Sequence, residues 1–168
     1  MAKDMLVAEK QVVLFDLGGE TYGLDIATVH EIIRMQPVTK VPKAPVYVEG
    51  VINLRGKVIP VIDLGKKFGI DKTDRDKNNR IVVVNIQNTT LGIIVDAVTE
   101  VLRVPASSIE PVTDIVTFGY LDYLQGIAKL DEKMVILLSL DKLLTQDRTL
   151  ANIAARTGGE KPEPVGAK

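Results

Sequence analysis

The sequence predicts a mostly β protein made of two five-stranded β units from an internal repeat, with short connecting helices and a C-terminal helix. Three observations lead there. Short runs of β-branched residues alternate with Gly, Asn and Pro punctuation, the pattern of strands and hairpins. Two lengths of the chain align on one another, first at one offset and then at a second seven residues longer. No apolar run approaches the ~20 residues that would span a bilayer. Apolar residues are 46% and charged residues 26% of the 168, with a formal net charge of −1, as in an ordinary globular protein. A nucleic-acid or anionic-membrane partner would want a basic excess.

In order, residues 1–10 form an expected flexible arm, with two lysines and no long apolar core of the kind a secretion signal has. Val12–Leu17 and Thr21–Leu24 are strands about Gly18-Gly19, a hairpin signal. Asp25 suits an N-cap, which predicts a short helix over Ile26–Arg34; the β-branched residues there make a strand the competing reading. Val38–Val41 is a short extended piece between Pro37 and Pro42. Val51–Leu54 and Val58–Ile62 form a hairpin that places Arg55 at its tip, Gly56 supplying the positive φ. Leu64–Phe68 is one helical turn stopped by Gly69. The first unit is thus 11–69. Residues 70–79 are a polar linker, 80–139 the second unit, 140–148 the C-terminal helix, and 149–168 a small, polar tail expected to be disordered.

Sliding the chain by 69 lays Val12–Leu24 over Ile81–Ile93 and matches Gly23 to Gly92, Val29 to Val98, Glu31 to Glu100 and Arg34 to Arg103. Sliding by 76 matches Gly50 to Gly126, Leu54 to Leu130, Lys57 to Lys133 and Leu64 to Leu140, so seven extra residues are expected within Glu110–Tyr123. Each copy of roughly 60 residues sits near the lower limit for an independent core, and closing its strands would remove exposed sheet edges. At the hairpin tip the copies part: Asn53-Leu54-Arg55-Gly56 becomes Lys129-Leu130-Asp131-Glu132. A turn requirement alone would be shared, so Arg55 reads as functional.

Catalytic materials are scarce. With no cysteine, thiolate and disulfide chemistry is excluded. One histidine, His30, would have to serve as base for Ser107, Ser108 or Ser139, and its apolar surroundings fit a surface imidazole better. Asp71, Asp74 and Asp76 have calcium-loop spacing without the sixth-position Gly, amid cations that would repel a metal. Gly18-Gly19 joins strand to strand, unlike a phosphate loop. No cofactor is expected, and the chain reads as a scaffold with binding surfaces rather than an enzyme.

Tyr22-Gly23-Leu24-Asp25-Ile26, Val29-His30-Glu31-Ile32, the block from Pro45 to Leu64 containing Asn53-Leu54-Arg55-Gly56, Leu91–Val98 and Leu124–Ile127 together resemble the CheW-like domain family of bacterial chemotaxis coupling proteins, over about 11–145. The resemblance implies two SH3-like β-barrels side by side. It implies a cytoplasmic adaptor, held at membrane-associated receptor arrays through its partners, that couples a histidine kinase to methyl-accepting chemoreceptors. The partners implied are the kinase's regulatory domain and the receptor's cytoplasmic tip, with no nucleic acid and no direct membrane insertion. The positions that match receptor contacts are Val29, Glu31, Gly50, Asn53, Arg55, Gly56 and Gly92. Gly50, lacking a Cβ, is expected to let a receptor helix approach closely, and Glu31 and Arg55 to hold one another. The kinase is expected on an apolar edge of the second barrel, with Ile115 a candidate. Glu110 departs from the pattern by reversing a charge and puts ring closure with the kinase through that contact in question. A detached regulatory module of a kinase, or of a receiver-containing adaptor, is the alternative.

Overall fold

The computed structural model describes residues 9–70, 77–110, 123–130 and 132–146. Residues 1–8, most of the linker (71–76), Ile115, Asp131 and the tail beyond 146 lie outside them. Eleven strands follow in order: β1 (Glu9–Leu17), β2 (Glu20–Asp25), β3 (Val29–Arg34), β4 (Val48–Leu54), β5 (Lys57–Asp63), β6 (Arg80–Ile86), β7 (Thr89–Val95), β8 (Ala97–Pro105), β9 (Ile109–Glu110), β10 (Leu124–Leu130) and β11 (Lys133–Leu138). Helix α1 (Leu64–Lys67) follows β5 and α2 (Leu140–Gln146) follows β11.

The strands make two sheets, ordered β8-β1-β2-β11-β10-β9 and β3-β6-β7-β5-β4. The repeat is visible in their registers. Val13 pairs with Val101 as Val82 pairs with Ile32, and Leu137 lies beside Gly23 as Val61 lies beside Gly92. Each sheet also closes in the same way. The chain leaving edge strand β8 makes a single 3-10 turn, Ala106–Ser108, and pairs as β9 with β10 at the opposite edge. The chain leaving β3 reaches β4 through one bridge, where Thr39 and Val51 exchange backbone hydrogen bonds of 2.9 and 2.8 Å. Each sheet therefore curls until its edges are neighbours along the chain, which leaves few open edges. Because Thr39 and Glu110 occupy equivalent places, two of the seven extra residues precede Glu110 rather than following it.

The expected division at 70–79 needs correction. The opening hairpin of each copy sits in the other copy's sheet: β1–β2 join β8–β11, and β6–β7 join β3–β5. The six-stranded sheet thus has one strand more than expected, the two-residue β9, whose counterpart is the Thr39 bridge. The physical reason lies in the runs Val12–Phe15 and Ile81–Val84, which are buried without alternation. Such runs need cover on both faces. Leu14 faces a small core inside its own sheet with Val104 and Val135, whereas Phe15 faces a central core with Val82, Ile93 and Leu138. In the other sheet Ile81 and Val83 line the small core with Ile52 and Val61. The exchanged hairpins are the wall between three cores. The arm is corrected as well, since Glu9 and Lys10 are already paired with Pro105 and Val104.

The helix expected over Ile26–Arg34 is a single 3-10 turn, Ile26–Thr28, followed by β3. Asp25 caps the turn as expected, accepting from the Ala27 amide at 2.9 Å. Burial alternates along Val29–Arg34, the period-2 pattern that suits its β-branched residues. The turn after β5 is helical, with Asp63 accepting from the Lys66 amide at 3.1 Å and Gly69 at φ 76° ending it.

Candidate functional site

The β4–β5 hairpin turns on two left-handed residues, Arg55 at φ 53° and Gly56 at φ 86°, as a two-residue hairpin turn of the primed kind requires. The Gly56 amide donates to Asn53 Oδ1 at 2.8 Å and closes the turn. A Cβ on Gly56 would meet nothing within 4 Å, so the glycine is there for its backbone angle alone. Arg55 has no such freedom. A left-handed non-glycine residue costs about 1 kcal/mol, so this position holds an arginine against local preference.

Arg55 reaches across the mouth of the five-stranded sheet to Glu31 on β3, and Nη2 donates to Glu31 Oε2. The side chains are 67% and 25% exposed respectively. The carboxylate is thus anchored in the wall while much of the guanidinium still faces solvent. Beside the pair, the Gln36 amide donates to the Asn53 carbonyl at 3.4 Å. The half-buried Ile33, Met35, Val38 and Leu54 pack on the small core beneath. The result is a polar rim over an apolar floor, suited to binding a side-chain-rich surface.

Of the other positions singled out, Val29 is half-buried and packs against the central core. Gly50 and Gly92 are buried, and here an expectation fails. Gly50, at φ 146°, has the Thr39 carbonyl oxygen 2.1 Å from where a Cβ would stand. The close approach that this glycine permits is made by the chain's own sheet-closing segment, not by a partner. A Cβ on Gly92 would stand 2.8 Å from Ile81 Cγ2, inside the small core. Both glycines have equivalents in the other sheet: Gly126 meets Ile109 and Glu110 as Gly50 meets Val38 and Thr39, and Gly23 meets Leu137 as Gly92 meets Val61, so they belong to the shared fold. Glu110 is held by Lys129 at 2.7 Å. Ile115 lies outside the described residues. On the six-stranded sheet, Val101 and Met134 expose apolar side chains.

The CheW-like domain profile matches residues 11–148. This chain belongs to the CheW-like domain family. The chain is 37% identical over 138 residues to "Chemotaxis protein CheW" of Klebsiella aerogenes, covering 82% of this chain and 83% of that one. It is 34% identical to "Chemotaxis protein CheW" of Treponema pallidum, covering 85% and 88%. Among solved structures, the scaffolding protein TtCheW of Thermoanaerobacter tengcongensis superposes with a TM-score of 0.77 at 47% identity, over 82% of this chain and 93% of that one. The CheW-like fold accounts for the paired sheets and for the expected SH3-like pair of β domains. Among the described residues no helix is long and apolar enough to cross a membrane.

Sequence reasoning missed two things about this CheW-like site. Arg55 is itself left-handed, and Asn53 serves the turn. The first had no signal beyond the two-residue spacing between strands. The second was legible in Asn three residues before Gly, a spacing at which an amide oxygen reaches a turn N–H.

Proposed function

We propose that this protein is a chemotaxis adaptor that joins a histidine kinase to methyl-accepting chemoreceptors by binding both, with no chemistry of its own. The receptor's cytoplasmic tip, an amphipathic helical hairpin, lays its apolar face over Ile33, Met35 and Leu54 and meets the Glu31–Asn53–Arg55 rim. The kinase's regulatory domain docks on the six-stranded sheet, where Val101 and Met134 expose apolar surface. Gly50, Gly56 and Gly92 serve by shaping the hairpin and its bed, and Val29 by seating β3. The adaptor works on the cytoplasmic side of the membrane, held there by its partners. It passes on receptor state because the receptor's affinity differs between arrangements of the joined complex.

The observation that carries this reading is the Glu31–Arg55 pair. An exposed arginine is kept in an unfavourable backbone angle and oriented by a half-buried carboxylate, in one copy of the repeat alone. Calorimetric titration with a receptor cytoplasmic fragment, and separately with the kinase regulatory domain, tests it. Arg55→Glu should weaken receptor binding by about 2 kcal/mol or more and leave kinase binding unchanged. Arg55→Asn suits the left-handed turn and should raise thermal stability slightly while still losing receptor affinity. Receptor binding that survives both substitutions would remove Arg55 from the interface.

A further inference from the structure

A second concentration of positive charge lies away from the Arg55 rim. Arg34 at the end of β3 and Arg80 at the start of β6 are directly opposed cross-strand partners. Like charges facing one another across a ladder are destabilising. They line an open depression with Met35, Lys77, Asn78 and Asn79. Arg80 Nη1 donates to the Lys77 and Asn79 carbonyls, each at 2.9 Å, which fixes the guanidinium in place. Among the described residues no carboxylate pairs with Arg34, Lys77 or Arg80. The equivalent place in the other sheet is neutralised. There Arg103 faces Gln11 in the ladder and has Glu9 at 3.9 Å. The five-stranded sheet thus has an arginine where the other has a glutamine, and Asn78 where the other has its acid. Beside the depression, Ile32 points to the same side of β3 as Arg34 and is 39% exposed.

We propose that Arg34, Arg80 and Lys77 form a docking seat for an acidic, amphipathic segment of a partner protein. Its carboxylates sit between the two guanidiniums and its apolar residues cover Ile32 and Met35. Three cations in an open depression at a sheet edge suit carboxylates spaced along a chain. The two apolar neighbours favour a protein segment over a free anion, which would leave them wet. The seat's cations are separate from the Arg55 rim, because Arg34 and Glu31 lie on opposite faces of β3; Met35 borders both sites, and substitutions at Arg34 and Arg80 or at Arg55 tell the two readings apart.

The test is fluorescence anisotropy with the full chain and a short labelled peptide carrying Glu and Leu at helical spacing. The wild type should bind it, more weakly as salt rises from about 50 to about 300 mM, and the Glu→Gln peptide should not bind. R34Q/R80Q should lose at least about tenfold in affinity, whereas R55N should lose none. In the free protein, Arg34→Gln should melt at the same temperature or a few degrees higher, because it removes a like-charge pair. Unchanged binding in R34Q/R80Q would overturn the seat. So would inorganic phosphate or phosphatidylserine vesicles competing more strongly than the peptide. A wild type that does not bind also overturns it, and if D71N/D74N/D76N then gains binding, the anion comes from the chain's own linker.

Discussion

The two hairpin tips occupy equivalent places in two equivalent sheets, yet they handle the same acid differently. In the six-stranded sheet Glu100 is 3.7 Å from Lys133, the residue after the turn. In the five-stranded sheet the equivalent acid, Glu31, bypasses the equivalent Lys57 and is taken by Arg55 at the turn itself. Lys57 has no ionic partner among the described residues. Moving the cation two residues outward replaces a point charge beside the wall with a planar five-donor group at the tip. What the repeat shares is therefore scaffold, and what it does not share is the surface a partner meets. Glycines divide the same way. Gly50 and Gly126, like Gly92 and Gly23, are common to both copies and buried, while Gly56 belongs to one tip alone.

The sharpest way to break that division is to attack a shared position. A Cβ at Gly50 would stand 2.1 Å from the Thr39 carbonyl oxygen, and the backbone there is at φ 146°. Both strain and overlap act together, so Gly50→Ala should destabilise the fold by about 3 kcal/mol. At Gly126 the nearest atom, the Glu110 carbonyl oxygen, is 2.8 Å away and no left-handed angle is involved. Gly126→Ala should cost less, about 1–2 kcal/mol. Urea unfolding of the two variants measures the difference. If Gly50→Ala is stable and has lost only receptor affinity, then Gly50 is a contact after all and the scaffold–surface division fails.

A middle-sized effect is expected at Asn53, which belongs to both categories. Its amide closes the turn on the Gly56 N–H, so Asn53→Ala should cost about 1 kcal/mol of stability. Because the same turn aims Arg55, receptor affinity should fall with it. Asn53→Asp keeps the acceptor oxygen and should restore both. Rescue of stability without rescue of binding would show that the amide itself touches the receptor, which would move Asn53 from the turn to the interface.

These positions also show how far the sequence alone reaches. The repeat, the hairpins and the Glu31–Arg55 pairing were legible because they rest on spacing: Gly between β runs, and an acid matched to an acid while the arginine is matched to an aspartate. The exchange of hairpins between sheets was not, because aligned copies look the same whether each closes on itself or trades β1–β2 for β6–β7. The clue lay in Val12–Phe15 and Ile81–Val84, runs too evenly apolar for a strand with one wet face. Gly50 misled for a related reason. A missing Cβ shows that something comes close, and only the Thr39–Val51 bridge, twelve residues apart in the chain, shows what. The strand at Val29–Arg34 was obscured by a good N-cap. Asp25 does cap, but it caps one turn, and the β-branched residues beyond it settle into the ladder with β6.

The smallest effect sharpens the comparison most cheaply. Glu100 and Lys133 are 46% and 50% exposed and 3.7 Å apart. Screening and side-chain entropy leave such a pair worth little, so a double-mutant cycle with Glu100→Ala and Lys133→Ala should give a coupling below about 0.3 kcal/mol. Glu31 is only 25% exposed and makes a direct charged hydrogen bond. The matching cycle with Glu31→Ala and Arg55→Ala should therefore give more, about 0.5–1 kcal/mol, even though Arg55 is largely in solvent. The difference between the two cycles isolates how firmly the tip cation is held before any partner arrives. A rim that is preorganised loses less side-chain entropy on binding, so the larger coupling should coincide with the tighter surface. Equal couplings would mean that the Arg55 guanidinium is as free as any surface charge. The rim's affinity for its partner would then have to come from the apolar floor of Ile33, Met35 and Leu54 instead.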